Sequence, residues 1–200
     1  MYKIIDPTTI IPVLETDRLI LRPFELSDAP AVFAYSSDPE NTKYMLWEPN
    51  RTIQAAEEFI RAELENYKTG KSYDYAFILK ESGALIGTGG AAIGDGMFRF
   101  TAEIGYILDK RCWGNGYAPE AMRALTEYLF AEKGIRRVQA KHFIGNPASG
   151  RVMEKIGMTY EGTLTDYLFA RGAFQTVKMY GLIKKADEIH SENSGKAGPF

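Results

Sequence analysis

The chain has 200 residues, 45% hydrophobic and 25% charged, with a net charge of −2. That length and balance suit one globular domain with a real core, and a second domain is not expected. A slightly acidic chain lacks the basic face a nucleic-acid binder needs, so no nucleic-acid partner is expected.

The single cysteine, Cys112, has no partner for an internal disulfide, which points to a reducing, cytoplasmic setting. Met1 to Thr9 carries charge early and no apolar stretch long enough for a signal peptide. No run approaches the ~18 apolar residues of a membrane span, so no membrane partner is expected.

In chain order, Arg18–Phe24 has strand character. Ser27-Asp28 then caps a short helix with Pro30 in its first turn. Thr52 reads as the N-cap of a longer helix. Its apolar positions Ala56, Phe59, Ile60, Leu64 and Tyr67 keep helical spacing, and Gly70 stops it. The period then changes: Tyr75–Leu79, a turn at Glu81–Gly83, and Ala84–Ile86 predict a hairpin. A strand follows at Glu103–Leu108, then a helix with Ala118, Ala121, Met122, Leu125 and Leu129 on one face and Gly134 at its end. Arg137–Phe143 is the next strand. Asn146-Pro147 opens a short helix through Val152, Met153 and Ile156, closed by Gly157. Strands around Tyr160 and from Phe174 to Ile183 finish the domain. Early hairpins and a central β–α–β unit predict an α/β fold, with a mixed sheet and helices on both faces.

Two glycine clusters invite a functional reading. Gly87-Thr-Gly-Gly-Ala-Ala92 fits the letters of a dinucleotide fingerprint, but no helix pattern follows it. It reads as a glycine-rich strand and a turn. Arg111-Cys-Trp-Gly-Asn-Gly-Tyr-Ala118 sits between a strand and an amphipathic helix. Glycines there let the backbone approach a ligand, and a helix N-terminus offers unpaired N–H groups and a positive dipole end. The loop lacks the Lys-Ser/Thr of a phosphate-binding NTPase loop, so nucleotide hydrolysis is disfavoured. On the loop alone, a diphosphate site and a plain turn into a core helix both stand.

Arg111-x-x-Gly114-x-Gly116-x-Ala118 resembles the acetyl-CoA pyrophosphate loop of GNAT acetyltransferases. Ala102–Leu108 upstream, and Asn146–Ser149 with Glu154–Met158 downstream, are similar to the same family. Leu14–Phe24 resembles the opening strand of its RimJ/RimL branch, which acts on ribosomal proteins. The resemblance runs from about Leu14 to Lys184. It implies an N-terminal extension over 1–13, an acetyltransferase domain over 14–187 with a mostly antiparallel, splayed sheet, and a flexible tail over 188–200.

The resemblance also implies a chemistry: direct attack of an amine on the thioester of acetyl-CoA, with no metal. The pantetheine arm would pair with the strand edge at Tyr106, Ile107 and Leu108. The pyrophosphate would lie on Arg111, Cys112, Trp113, Gly114, Asn115, Gly116, Tyr117 and Ala118. Asn146 would hold the cofactor arm, or serve simply as a helix cap. Ser149 would lie near the sulfur as acid or thiolate partner. Glu103 is the candidate base, or else a strand carboxylate satisfied by a neighbouring cation. Some relatives place a further carboxylate in the last hairpin. Asp166 lies near that place while the matching position is Leu168, and Tyr167 is a fallback acid.

The remaining candidates are weaker. Cys112 has no neighbouring histidine. His142, mid-strand, and His190, in the tail, lack ligand spacing with it, so a metal site is not expected. Tyr44 and Trp47 precede the second helix, a region that walls the acceptor pocket in this family. The acceptor is a protein N-terminal α-amine or a small amine, in a monomer or homodimer. A noncatalytic acyl-CoA-binding module and an antibiotic-amine acetyltransferase are the alternatives.

Overall fold

A computed structural model of the chain describes residues 2–4, 11–69 and 73–185. The expected stop at Gly70 and the tail from Ser191 lie outside the described residues. The strands are β1 (Lys3–Ile4), β2 (Leu14–Glu15), β3 (Leu19–Arg22), β4 (Tyr75–Leu79), β5 (Leu85–Ile93), β6 (Thr101–Leu108), β7 (Arg137–Phe143), β8 (Thr159–Ala170) and β9 (Ala173–Ile183). They form one sheet in the order β1-β2-β3-β4-β5-β6-β7-β9-β8. Lys3 and Ile4, expected to belong to an extension, pair with Glu15 and Leu14 and lengthen that sheet.

The helices are α1 (Ala29–Ser36), α2 (Pro39–Thr42), α3 (Ile53–Asn66), α4 (Tyr117–Glu132) and α5 (Pro147–Lys155). The fold is α/β, a mixed and mostly antiparallel sheet with helices on both faces. Helix α1 packs on α3 and β5, α4 lies against β6 and β5, and α5 lies against β7. The apolar stripe predicted for α4 is buried at every position: Ala118, Ala121, Met122, Leu125 and Leu129. It meets a core that includes Leu19, Leu21, Tyr75 and Phe77. Each large apolar side chain buried in this way contributes ~1.5–3 kcal/mol.

The parallel pair explains the site. Helix α4 carries the chain across the sheet, so β7 returns parallel to β6. Their pairing covers only Thr101, Ala102 and Glu103 against Arg137, Val138 and Gln139. Beyond that point β6 stays with β5 as far as Leu108, and β7 stays with β9 as far as Phe143. The two strands therefore splay, and a gap opens beside the second half of β6.

Four local readings change. Asp28 precedes α1, but its carboxylate is held by Arg22 at 2.7 and 2.8 Å and by the Glu25 N–H, so it does not cap the helix. Thr52 stands at the N-cap of α3 without a side-chain cap bond. Helix α2 was not foreseen. Strand β8 runs well beyond its signal around Tyr160, while β9 starts one residue before the expected Phe174. The first glycine cluster is strand β5, as expected, and close packing is its physical reason. A Cβ at Gly87 would lie 2.3 Å from the Ile107 carbonyl oxygen, and one at Gly89 would lie 2.7 Å from the Phe77 ring.

Candidate active site

The second glycine cluster forms the tight connection from β6 to α4. Gly114 and Gly116 adopt φ of 80° and 79°, the left-handed region that glycine enters at little cost. Gly116 is the N-cap of the sixteen-residue α4, and no side chain caps that end. The amides of Arg111, Cys112 and Trp113 are consumed within the turn, by the Asp109 carboxylate and the Asp109 and Lys110 carbonyls. Of the glycine loop, Gly114–Ala118 is the part whose amides are not drawn into this turn. The Arg111 side chain also turns away from the expected role: its guanidinium grips Asp109 and holds that carboxyl below the usual range. Asn115 braces the loop by donating to the Cys112 and Trp113 carbonyls.

A cleft of about 470 Å³ runs from this loop along the far half of β6, with α5 and the segment around α2 on its other sides. It brings together Tyr106, Ile107, Leu108, Cys112, Trp113, Gly114, Gly116, Tyr117, Ala118, Asn146 and Ser149. Arg111 and Asn115 do not line it. Tyr44 does, and Trp47 does not. The cleft also takes in Lys43, Arg151, Val152 and Lys155, which the sequence reading missed. Ala148, Arg151, Val152 and Lys155 recur at helical spacing, a signal that α5 turns one face to the groove.

The strand edge can be read from backbone alternation. Thr101 accepts from Gly94 and Asp109 donates to Ile86, so the odd residues between them face β5. The backbone groups of Tyr106 and Leu108 therefore face the gap. Trp113 fills part of that edge, since its indole N–H donates to the Leu108 carbonyl at 3.0 Å.

Across the gap, the Tyr106 hydroxyl lies 2.9 Å from both the carbonyl and the Oγ of Ser149. Burial pushes the phenol well above its usual range, and the bond to Ser149 only partly opposes this. Tyr106 is therefore a protonated donor at neutral pH. Asn146 caps α5 by accepting from the Ser149 N–H at 3.3 Å, and it also lines the cleft.

Glu103 is placed differently. It does not line the cleft, and its carboxylate is paired with Lys141 and accepts from Gln139 at 3.3 Å. The reason is register: Glu103 pairs with Gln139 on β7, and Lys141 follows on the same face. Tyr167 joins this group, with the Lys141 Nζ 5.8 Å from its ring centre. The ladder between β8 and β9 is irregular from Leu164 to Leu168, and Asp166 lies within the irregular stretch at φ 48°. No group of three or more His, Cys, Asp or Glu that could hold a metal ion occurs among the described residues. No helix among them is long and apolar enough to cross a membrane.

Residues 18–159 match the family model described as the acetyltransferase (GNAT) domain. The chain is 36% identical over 172 residues to the uncharacterized N-acetyltransferase p20 of Bacillus licheniformis, covering 86% of this chain and 96% of that protein. A GNAT-family acetyltransferase structure from Bacillus anthracis superposes with a TM-score of 0.77 at 29% identity, over 86% of this chain and 98% of that one. The ribosomal-protein α-N-acetyltransferase RimL, solved with coenzyme A, shares the fold with a TM-score of 0.72 at 22% identity, over 84% and 95% of the two chains.

Proposed function

The chain belongs to the GNAT acetyltransferase family and is an acetyl-CoA-dependent N-acetyltransferase, and we propose that its acceptor is a weakly basic primary amine, of which a protein N-terminal α-amine is the type. The observation that carries the reading is one cleft with the glycine loop at one end and Tyr106 bonded to Ser149 at the gap. The Gly114–Ala118 amides and the dipole of α4 suit a diphosphate. The exposed edge at Tyr106 suits an arm that pairs like a strand.

The co-substrate supplies a thioester carbonyl for the amine to attack. The chain's residues do the rest. Backbone N–H groups on the splayed edge of β6 face the charge that develops on the carbonyl oxygen. Ser149, held by Tyr106, donates toward the departing sulfur. Tyr106→Phe keeps the ring and removes the hydroxyl's contacts with the Ser149 carbonyl and Oγ, so it should lower kcat about 5- to 10-fold with little change in KM for acetyl-CoA. Steady-state kinetics check this, and an unchanged kcat would remove Tyr106 from the chemistry.

The amine must be neutral to attack, and Glu103 is the proposed base, directly or through water. Its carboxylate is already bonded to Lys141 and Gln139. An α-amine, with a pKa of ~8, is already about one-tenth neutral at pH 7, whereas a lysine side chain at ~10.4 is almost wholly charged. With that carboxylate engaged outside the cleft, an acceptor that sheds its proton readily suits the site, which favours an α-amine. With an α-amine acceptor, Glu103→Gln should lower turnover at neutral pH by up to about 10-fold and recover as pH rises and more free amine is present. A wild-type pH–rate profile in this variant would assign the proton to solvent or another group.

The acceptor is tested by thiol release from acetyl-CoA with peptides of varied N-terminal residue, the same peptides blocked at the α-amine, polyamines and aminoglycosides. Turnover that disappears when the α-amine is blocked supports the reading. Turnover confined to polyamines, aminoglycosides or lysine side chains would replace it.

A further inference from the structure

The turn between β2 and β3 reaches across the sheet to the glycine loop. Arg18 in that turn donates from Nε to Glu120 Oε2 at 2.7 Å and from its backbone N–H to Glu120 Oε1 at 2.8 Å. Thr16 donates its hydroxyl to the same Glu120 Oε1 at 2.6 Å. The Arg18 guanidinium also donates to the Asn115 carbonyl at 2.9 Å and lies 4.6 Å over the centre of the Tyr117 ring. Residues more than ninety apart in sequence thus converge on the first turn of α4. Burial works to raise the Glu120 carboxyl, but the bonds from Thr16 and Arg18 outweigh it and hold the group below its usual range.

We propose that Arg18, through Glu120 and the Asn115 carbonyl, is the positioning residue of the diphosphate loop. The inference rests on the reading that Gly114–Ala118 holds the cofactor diphosphate. A trans peptide directs its C=O and the following N–H to opposite sides. Fixing the Asn115 carbonyl on Arg18 therefore turns the Gly116 N–H away from Arg18, toward the cleft that Gly116 also borders. A second effect is electrostatic. Glu120 sits in the first turn of α4, where an unpaired carboxylate would repel a bound diphosphate. Arg18 neutralises it. A lysine could match that charge, but it lacks the planar fork that serves Glu120 and the Asn115 carbonyl together.

The test compares acetyl-CoA with S-acetylpantetheine, a thioester without the diphosphate. In Arg18→Met the kcat/KM for acetyl-CoA should fall about 10- to 100-fold, mainly through KM, while the acetylpantetheine value moves little. Arg18→Met/Glu120→Gln should recover part of the loss, because the stranded carboxylate is gone. Arg18→Lys should fall between wild type and Arg18→Met, and it serves if Arg18→Met does not fold. An unchanged KM for acetyl-CoA in folded Arg18→Met, or an equal loss with both thioesters, would overturn the positioning role. A wild-type protein with no preference for acetyl-CoA over acetylpantetheine would instead overturn the diphosphate reading beneath it.

Discussion

Replacing Gly116 by valine should abolish cofactor binding while the chain remains folded. At φ 79° the residue is in the left-handed region, and a β-branched side chain is nearly excluded from it. Space is not the obstacle: an added Cβ would meet Arg18 Nη2 only at 3.5 Å. The backbone is the obstacle. The loop has to rebuild, and rebuilding redirects the amides that open α4. Losing two charge-assisted bonds of this kind corresponds to about 10³-fold or more in affinity. The strain of ~1–3 kcal/mol should lower Tm by only about 2–12 °C in a domain of this size. Calorimetry with coenzyme A checks the first expectation and a thermal melt checks the second. Unchanged affinity in the folded variant would place the diphosphate elsewhere.

Ser149→Ala should reduce turnover much more than cofactor affinity. The Ser149 hydroxyl bonds to Tyr106 beside the gap, and its proposed role arises only as the sulfur leaves. The size of the loss follows from the leaving group. A thiol with a pKa near ~8.5 departs tolerably as the thiolate, so a proton donor adds only the lower end of the usual range, ~10²-fold. The α5 cap made by Asn146 uses the Ser149 backbone N–H, so the alanine variant keeps its helix. Equal kcat in the two proteins would leave Ser149 with a purely structural part.

Much of this site was legible in the sequence because its signals are local. The amphipathic stripe of α4, the glycines before it and the Asn-Pro opening of α5 each follow from backbone rules within a few residues. Arg137–Phe143 was read with both ends correct, since alternation over seven residues leaves one phase only. What failed was tertiary. No spacing announces that Lys141 will face Glu103 across a three-residue parallel ladder, and although Asp109 stands only two positions from Arg111, the loop pattern does not say that it will take the guanidinium. Arg18 and Glu120 are 102 positions apart, and only the folded sheet shows that they are neighbours. Lys43, from the segment after α2, and Arg151, on α5, were missed because single charges on polar stretches read as solvated surface.

On this reading the cleft carries acetyl directly from the thioester to an amine. One measurement tests it most directly: labelled acetyl-CoA is mixed with the protein, with and without an N-terminal peptide, and free thiol, labelled amide and labelled protein are counted together. Direct transfer gives one thiol per amide, no thiol without the peptide, and no acetyl group left on the protein. Thiol without amide, acetyl retained on the protein, or tight binding with no release of either product would contradict it.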